Sequence, residues 1–249
     1  MQILVSNDDG IFAQGIQVLE DVCGEVGEVT VVAPDREQSA ASHALTVARP
    51  LRPVQREPHR FQVDGTPTDC VLIALGVLLQ HKPDFVFSGI NHGPNMGEDV
   101  LYSGTVAAAM EGLSVGIPSV AMSYAGGNIE TLASQHEWLH RLVADIVAVE
   151  SFPEDTLLNV NLPPVPGPAI RGIKVTTLGR RVFSESLKRM NDPWGQETYW
   201  IGGGKSSWSG REDSDFRAVA DGFISVTPLH VDLTNYKLLE SVRSWNLGQ

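Results

Sequence analysis

The 249-residue chain contains 42% hydrophobic residues, which suits one large α/β domain, or one domain with an extension. Its 18 basic and 30 acidic side chains give a net charge of −12, which disfavours a stable complex with a nucleic-acid polyanion. No apolar run approaches the roughly 18 to 20 residues of a membrane-spanning helix, and no basic leader precedes the first strand, so we expect a cytoplasmic protein without a membrane partner.

Short apolar runs alternate with helical patterns over the first 150 residues. Buried strands are predicted at 3–5, 29–33, 85–88 and 118–122, with a short hairpin within 46–64. Helices are predicted at 15–22, at 68–79 with Thr68 as the N-cap, at 105–113 and at 130–149. Cys23 and Cys70 have apolar helical surroundings, where buried thiols are expected rather than a disulfide. The alternation predicts a Rossmann-like, three-layer, doubly wound and mostly parallel sheet.

The character of the sequence changes after about residue 150. Strands are predicted at 157–161, 173–175 and 222–226, and a last helix is predicted to begin at Asp232. Residues 180–215 are rich in Trp, Gly and Ser without a helical period, which is typical of an extended arm or hairpin. We therefore interpret 1–249 as a single domain with a core at about 1–150 and a β-rich extension and oligomerisation arm at about 151–249.

Polar side chains follow three of the predicted strands. Asp8 and Asp9 come after the first strand, Ser39 lies in the loop after the second, and Asn91 follows the strand at 85–88. In open α/β sheets ligands bind beyond the carboxyl ends of the strands, so these four residues can converge on one crevice. Carboxylate, hydroxyl and amide oxygens suit Mg²⁺, Mn²⁺ or Ca²⁺ better than zinc. Asp9-Gly10 alone favours a plain turn, but the other two strand ends favour a metal site.

A glycine-rich loop, predicted at 89–104, leads into the helix at 105–113. Free N–H groups at the helix start, at Ser103, Gly104 and Thr105, are suited to an anion. Ordinary N-capping by Ser103 or Thr105 explains the same residues and is compatible with phosphate binding. We expect that a side chain at Gly104 would collide with the bound substrate.

Other signals are weaker. Gly202-Gly203-Gly204-Lys205-Ser206 resembles a phosphate loop, but no apolar strand precedes it, so a flexible arm is the better interpretation. His43 and His92 are candidate proton donors or plain surface histidines, and we assign no zinc spacing to the seven histidines. The tryptophans of the arm are suited to stacking on a base or to packing against a partner subunit.

These residues closely resemble the survival protein E (SurE) family of metal-dependent nucleotidases. The matching segments are ILVSNDDG at 3–10, VVAPDREQSAAS at 31–42, GTPTDCV at 65–71, SGINHGPNMGEDVLYSGTVAAAMEG at 88–112 and DGFISVTPLHVDLT at 221–234. The resemblance implies one divalent cation per subunit, held by Asp8, Asp9, Ser39 and Asn91. It also implies hydrolysis of nucleoside 5′- and often 3′-monophosphates, shortening of polyphosphate in some relatives, and exchange of C-terminal arms in a homodimer or homotetramer.

The resulting hypothesis is a phosphomonoesterase in which water activated by Mg²⁺ or Mn²⁺ attacks phosphorus. Asn95, Ser103, Gly104 and Thr105 are assigned to the phosphate, and Asp8 also serves as the general base, while an aspartyl-phosphate route stays open. The rival hypotheses are a non-catalytic nucleotide or metal sensor and a nucleotide-sugar transferase, because a fold does not fix a function.

Overall fold

The computed structural model describes residues 1–183, 187–201, 206–245 and 247. The strands are β1 (Gln2–Ser6), β2 (Glu28–Pro34), β3 (Pro53–Glu57), β4 (Arg60–Val63), β5 (Phe85–His92), β6 (Ser119–Tyr124), β7 (Leu157–Leu162), β8 (Ile173–Val175), β9 (Arg180–Phe183), β10 (Leu187–Asn191), β11 (Glu197–Ile201), β12 (Ser206–Ser209) and β13 (Ile224–Leu229). The α-helices are α1 (Gln14–Gly24), α2 (Pro67–Ile73), α3 (Gly104–Ser114), α4 (Ile129–Ala133), α5 (His136–Val147), α6 (Asp215–Ala220) and α7 (Leu239–Arg243). Within these ranges no helix combines the length and the hydrophobicity needed to cross a bilayer.

Nine of the described strands form one sheet in the order β3-β4-β2-β1-β5-β6-β7-β13-β8. The six strands from β4 to β7 are parallel to one another, whereas β3 and β13 run antiparallel to β4 and β7. After β1 the chain adds β2 on one side and later β5 on the other, so the strand order reverses between β1 and β5. That reversal places a crevice at the carboxyl ends of these two strands.

Helices cover both faces of the sheet and make it the middle of three layers. On one face, apolar side chains of α1, α4 and α5, such as Ile16, Leu132 and Leu139, pack with Val5 and Phe87 in the larger buried cluster. On the other face, α2 and α3 pack through residues such as Val71 and Ala108 against neighbouring strands. The predicted Rossmann-like, mostly parallel α/β fold is therefore confirmed.

Four predicted helix boundaries are wrong. The helix predicted at 68–79 is α-helical only to Ile73, and a π-helix, Ala74–Leu78, follows it. The N-cap of α2 is Thr66, because its hydroxyl accepts the N–H of Asp69, and Thr68 lies inside the helix. Residues 130–149 form two helices, since the side chain of Gln135 turns inward and donates to the carbonyls of Pro163 and Val165.

The last α-helix begins at Leu239 instead of Asp232, because the Asp232 carboxylate accepts bonds from Thr234 and Tyr236 in a local turn. The predicted glycine-rich loop is also shorter than expected, since its first residues, Gly89 to His92, continue β5. An irregularity in the pairing of β5 with β6 falls between Ser88 and Asn91, directly before the proposed ligand.

Residues after 150 contribute both to the main sheet and to two separate two-stranded ladders. β7, β13 and β8 continue the main sheet, so the division of the chain near residue 150 stays a prediction. Within 180–215, β9 pairs with β12 and β10 pairs with β11, both antiparallel, as expected for an extended hairpin. Gly202 to Lys205 of the weak phosphate-loop signal lie outside the described residues.

Candidate active site

Asp8 is a buried carboxylate at the end of β1, with only 4% of its surface exposed. The hydroxyl of Thr105, in the first turn of α3, donates a hydrogen bond to its Oδ1. Burial raises the pKa of Asp8 to about 6, with the Thr105 bond opposing the shift and the neighbouring Asp9 charge adding to it. The carboxylate is therefore held in one position, and its ionisation is unfavourable without a nearby cation.

Asp9 is half-buried beside Asp8 and reaches across to β5. Its Oδ2 accepts the backbone N–H of His92 at 2.9 Å, which joins the end of β1 to the end of β5. Burial raises the pKa of Asp9, the His92 contacts oppose that shift, and the Glu37 charge reinforces it. Asn7 closes the turn that carries both aspartates, through paired bonds with the main chain of Gly10.

Ser39 is exposed in the loop after β2, and the preceding residue, Gln38, contacts the main chain of Asp8. The N–H of Gln38 donates to the Asp8 carbonyl at 2.7 Å, which brings this loop to the end of β1. The Ser39 hydroxyl donates to Glu37 at 2.5 Å. Ala40 and Ser42 have positive φ angles of 58° and 54°, a backbone strain that tends to accumulate at functional loops.

Asn91 is half-buried in β5, next to the residue whose N–H binds Asp9. Its Nδ2 donates to the carbonyl of Gly93 at 2.8 Å. Because the amide nitrogen donates within this turn, the amide oxygen is the atom that would coordinate a cation. Mg²⁺ and Mn²⁺ prefer such oxygen ligands.

The four predicted ligands thus come from three strand ends joined by the Gln38–Asp8 and His92–Asp9 contacts. Among the described residues, no arginine or lysine contributes to the shifted pKa of either carboxylate. Two adjoining, desolvated carboxylates destabilise one another. The charge interaction with His92 offsets part of this cost at Asp9, and a divalent cation would reverse the rest. The donor set therefore fits a hard cation.

The first turn of α3 lies directly against Asp8. Ser103 is the N-cap and accepts the N–H of Val106 at 3.1 Å, so Thr105 is not the cap. A Cβ added to Gly104 would lie 2.8 Å from the Cβ of Asp8 and 3.1 Å from Pro67. The glycine is therefore required first by the approach of the helix to Asp8, which the sequence alone did not indicate.

Asn95 is buried and is fixed by two residues of β7 that the sequence pattern did not single out. Its N–H donates to Oδ1 of Asn161, and its carbonyl accepts from the side chains of Asn159 and Asn161. Its own Nδ2 donates to Ser123 at 2.8 Å. Two asparagines at alternate positions of the apolar strand LLNVNL were the available signal, because buried polar groups need partners.

The histidines do not add a metal centre to this site. The expectation that the histidines lack zinc spacing is wrong, because His136 and His140 have the four-residue spacing of zinc-binding helices. Each of them pairs with Glu25 instead. In the described part of the chain, no group of three or more His, Cys, Asp or Glu is arranged to hold a metal. His43 pairs with Glu111 at 2.8 Å.

The sequence matches the family model described as "Survival protein SurE" over residues 3–185. The chain belongs to this family. A curated relative from Gemmatimonas aurantiaca, named 5′-nucleotidase SurE, is 61% identical over 248 residues and covers 98% of each chain. One of the same name from Geotalea uraniireducens is 48% identical and covers 99% of this chain and all of its own.

A solved structure agrees with the family assignment. The crystal structure of a SurE protein from Aquifex aeolicus has a TM-score of 0.86 and 42% identity, covering 98% of this chain and 99% of its own. The resemblance seen in the sequence segments thus extends to nearly the whole SurE-type fold.

Proposed function

We propose that this chain is a divalent-metal-dependent 5′-nucleotidase that hydrolyses nucleoside 5′-monophosphates to nucleoside and phosphate. The name shared by relatives up to 61% identical over nearly the full length supports the reaction. The observation that carries the chemistry is the contact of Asp8, which adjoins Asp9 in the sequence, with the first turn of α3. Anion donors and candidate cation ligands are then adjacent, as phosphoryl transfer requires.

Asp8, Asp9, Ser39 and Asn91 would hold the cation. When bound, a divalent ion neutralises phosphate charge and activates water. Members of the SurE family are metal-dependent in general. The oxygen-only donor set favours Mg²⁺ or Mn²⁺ over thiophilic ions, and Cys23 and Cys70 are free and buried in the apolar clusters away from these ligands.

The phosphate would lie at the start of α3. The helix dipole and main-chain N–H groups at Gly104 and Thr105 favour an anion there, with Ser103 and the Asn95 amide as further contacts. Asp8 would accept the proton of the attacking water, because its burial and the Thr105 bond hold it in one position. An aspartyl-phosphate intermediate on the same carboxylate is the alternative route.

The proposal also includes hydrolysis of 3′-monophosphates, action on short polyphosphate, a cytoplasmic location and a homodimer or homotetramer. The free, buried state of Cys23 and Cys70 supports a reducing compartment. Exposed apolar side chains in the arm support self-association, with Trp194 at 84% and Ile201 at 86% exposure.

The first prediction tests the metal site with Asp8→Asn and Asp9→Asn. We expect kcat/KM for a nucleoside 5′-monophosphate to fall by about a hundredfold or more, since a charged ligand or base is lost. Activity of chelated protein should return with Mg²⁺ or Mn²⁺ more readily than with Zn²⁺. Circular dichroism and the melting temperature provide the folding control. Wild-type activity in both variants after chelation and metal re-addition would refute the assignment.

Product analysis separates the rival hypotheses. The hydrolase releases inorganic phosphate and nucleoside in equal amounts, a sensor releases neither, and a transferase moves the sugar of a nucleotide sugar to an acceptor. Phosphate release that is stoichiometric with nucleoside is the expected result.

A further inference from the structure

A cavity of about 280 Å³ opens beside Asp9 and Asn91 on the face of the sheet that α1 and α4 cover. Its apolar floor includes Ile90 and Leu132, which belong to the core cluster of that face. The start of α3, where the phosphate is proposed to lie, packs on the opposite face, with α2. The proposed cation ligands therefore stand between the phosphate position and the cavity.

The lining of this cavity is suited to an uncharged group. Ile90, Ile129 and Leu132 supply apolar contacts, and the Gln14 amide and the His92 ring supply hydrogen-bonding groups. Among the described residues that line it there is no lysine or arginine, so a second phosphate would lack a counter-charge. Its volume is near the lower end of the roughly 300 to 1,000 Å³ usual for small-molecule sites.

We propose that this cavity binds the nucleoside part of the substrate, an uncharged planar heterocycle with its sugar. Gln14 and His92 would contact the polar edges, and Ile129 and Leu132 the ring face. The inference rests on the proposed function, in which Asp9 and Asn91 hold the cation at the mouth of the cavity. If the cavity binds the nucleoside, Gln14 is a specificity residue for the base, and polyphosphate has no favourable contacts in the cavity.

Gly127 provides a way to fill the cavity without disturbing the ligands. It lines the cavity and is exposed, and among the described residues an added Cβ would meet only the Nε2 of His92, at 3.8 Å. A large side chain at this position therefore fits the backbone and projects from the cavity wall. Gly76, on the α2 side, gives a matched control, because in the described part of the chain no atom beyond its own helical turn lies within 4 Å of an added Cβ.

The test measures KM for the four common nucleoside 5′-monophosphates and the inhibition constant of inorganic phosphate in wild type, Gly127→Trp, Gln14→Ala and Gly76→Trp. Gly127→Trp should raise KM about tenfold or more while the phosphate constant stays within about twofold. Gln14→Ala should raise KM by about threefold to tenfold, unequally among the bases, because a lost hydrogen bond is worth on the order of 1 kcal/mol. Gly76→Trp should match wild type in both constants.

Unchanged KM values in both cavity variants would overturn the nucleoside assignment and leave the proposed phosphatase standing. A parallel rise in KM and in the phosphate constant would also overturn it, since the cavity would then act through the phosphate position. Failure of the proposed function is a separate result, namely the absence of phosphate release from nucleoside 5′-monophosphates by the wild-type protein supplied with Mg²⁺ or Mn²⁺.

Discussion

At the residue scale, Thr105 is a positioning residue for Asp8. Its hydroxyl donates to Asp8 Oδ1 from a fully buried position, and Ser103 takes the role of N-cap. The Thr105 hydroxyl therefore positions the Asp8 carboxylate. Removing this hydroxyl should affect Asp8 and should not remove the cap of α3.

The second prediction follows from that contact. Thr105→Val keeps the side-chain shape and should lower kcat by about tenfold to a hundredfold, the equivalent of the roughly 1.5 to 3 kcal/mol of a bond to a charged group. Thr105→Ser retains the donor and should restore most of the turnover. Steady-state kinetics at saturating Mn²⁺ measure both variants, and equal turnover in Thr105→Val and wild type would contradict the role.

The third prediction concerns Gly104 and differs from the one that the sequence suggested. A methyl group in Gly104→Ala would press on the Cβ of Asp8, which would lie 2.8 Å away. Mn²⁺ affinity and turnover should therefore fall together, by about tenfold or more each. Isothermal titration with Mn²⁺ beside kinetics distinguishes this from a collision with substrate alone, in which metal affinity would be preserved.

At the scale of elements, helix starts anchor the loops around the site. Asp215, the first residue of α6, is buried, and its carboxylate accepts N–H groups from Gly97 and Gly179 at 2.8 and 2.9 Å. Burial raises the pKa of Asp215, and these main-chain bonds oppose the shift. The C-terminal extension thus contributes directly to the position of the loop that carries Asn95.

Asp69 of α2 has a similar role for the loop after β2. Its carboxylate accepts the N–H groups of Thr46 and Thr66, and the Thr66 hydroxyl accepts the N–H of Asp69 in a capping box. Burial raises the pKa of Asp69, but the bonds from Thr46 and Thr66 outweigh it, and the net pKa lies below its ordinary value. Since the folded pKa is depressed, this stabilisation is present above the unfolded pKa and is lost as the pH falls.

The fourth prediction is the resulting pH dependence. Asp69→Asn should lower the free energy of unfolding by about 1 to 2 kcal/mol at pH 7. The difference from wild type should shrink below about pH 4, where the unfolded-state carboxyl begins to protonate. Urea unfolding at several pH values measures it, with the exposed Glu154→Gln as a control. A difference that stays constant down to pH 3 would contradict the assigned charge effect.

At the scale of the whole molecule, the exposed apolar surface is concentrated after residue 150. Trp200 and Ile201 on β11 are 66% and 86% exposed, and Leu233 near the C-terminus is 88% exposed. A two-stranded ladder buries little apolar area by itself, so the proposed self-association would stabilise it.

The fifth prediction is that the protein self-associates at micromolar concentration through this surface. Trp200→Ser combined with Ile201→Ser should shift sedimentation toward a smaller species, because the contact loses two large apolar side chains. Val47→Ser, at a residue 89% exposed outside the arm, is the matched control and should sediment as wild type. A wild-type monomer would refute the proposed assembly.

The sequence by itself determined the sheet, the order of its main elements and the residues at the strand ends. Hydrophobic periodicity and turn residues act over a few positions, so they predict secondary structure from short stretches of sequence. Parallel strands then bring their carboxyl ends to one edge, which is why Asp8, Asp9 and Asn91 could be grouped before any contact was known.

Only the tertiary structure decided what these residues touch. Thr105 binds Asp8 from 97 positions away, Asn161 holds Asn95 across 66, and Asp215 reaches Gly97 across 118. Such bonds form because a buried polar group must find a partner wherever packing places one, and no local pattern encodes that choice. For the same reason the sequence predicted only a phosphate contact at Gly104. The structure shows that a glycine is needed there because α3 approaches Asp8 too closely for a side chain.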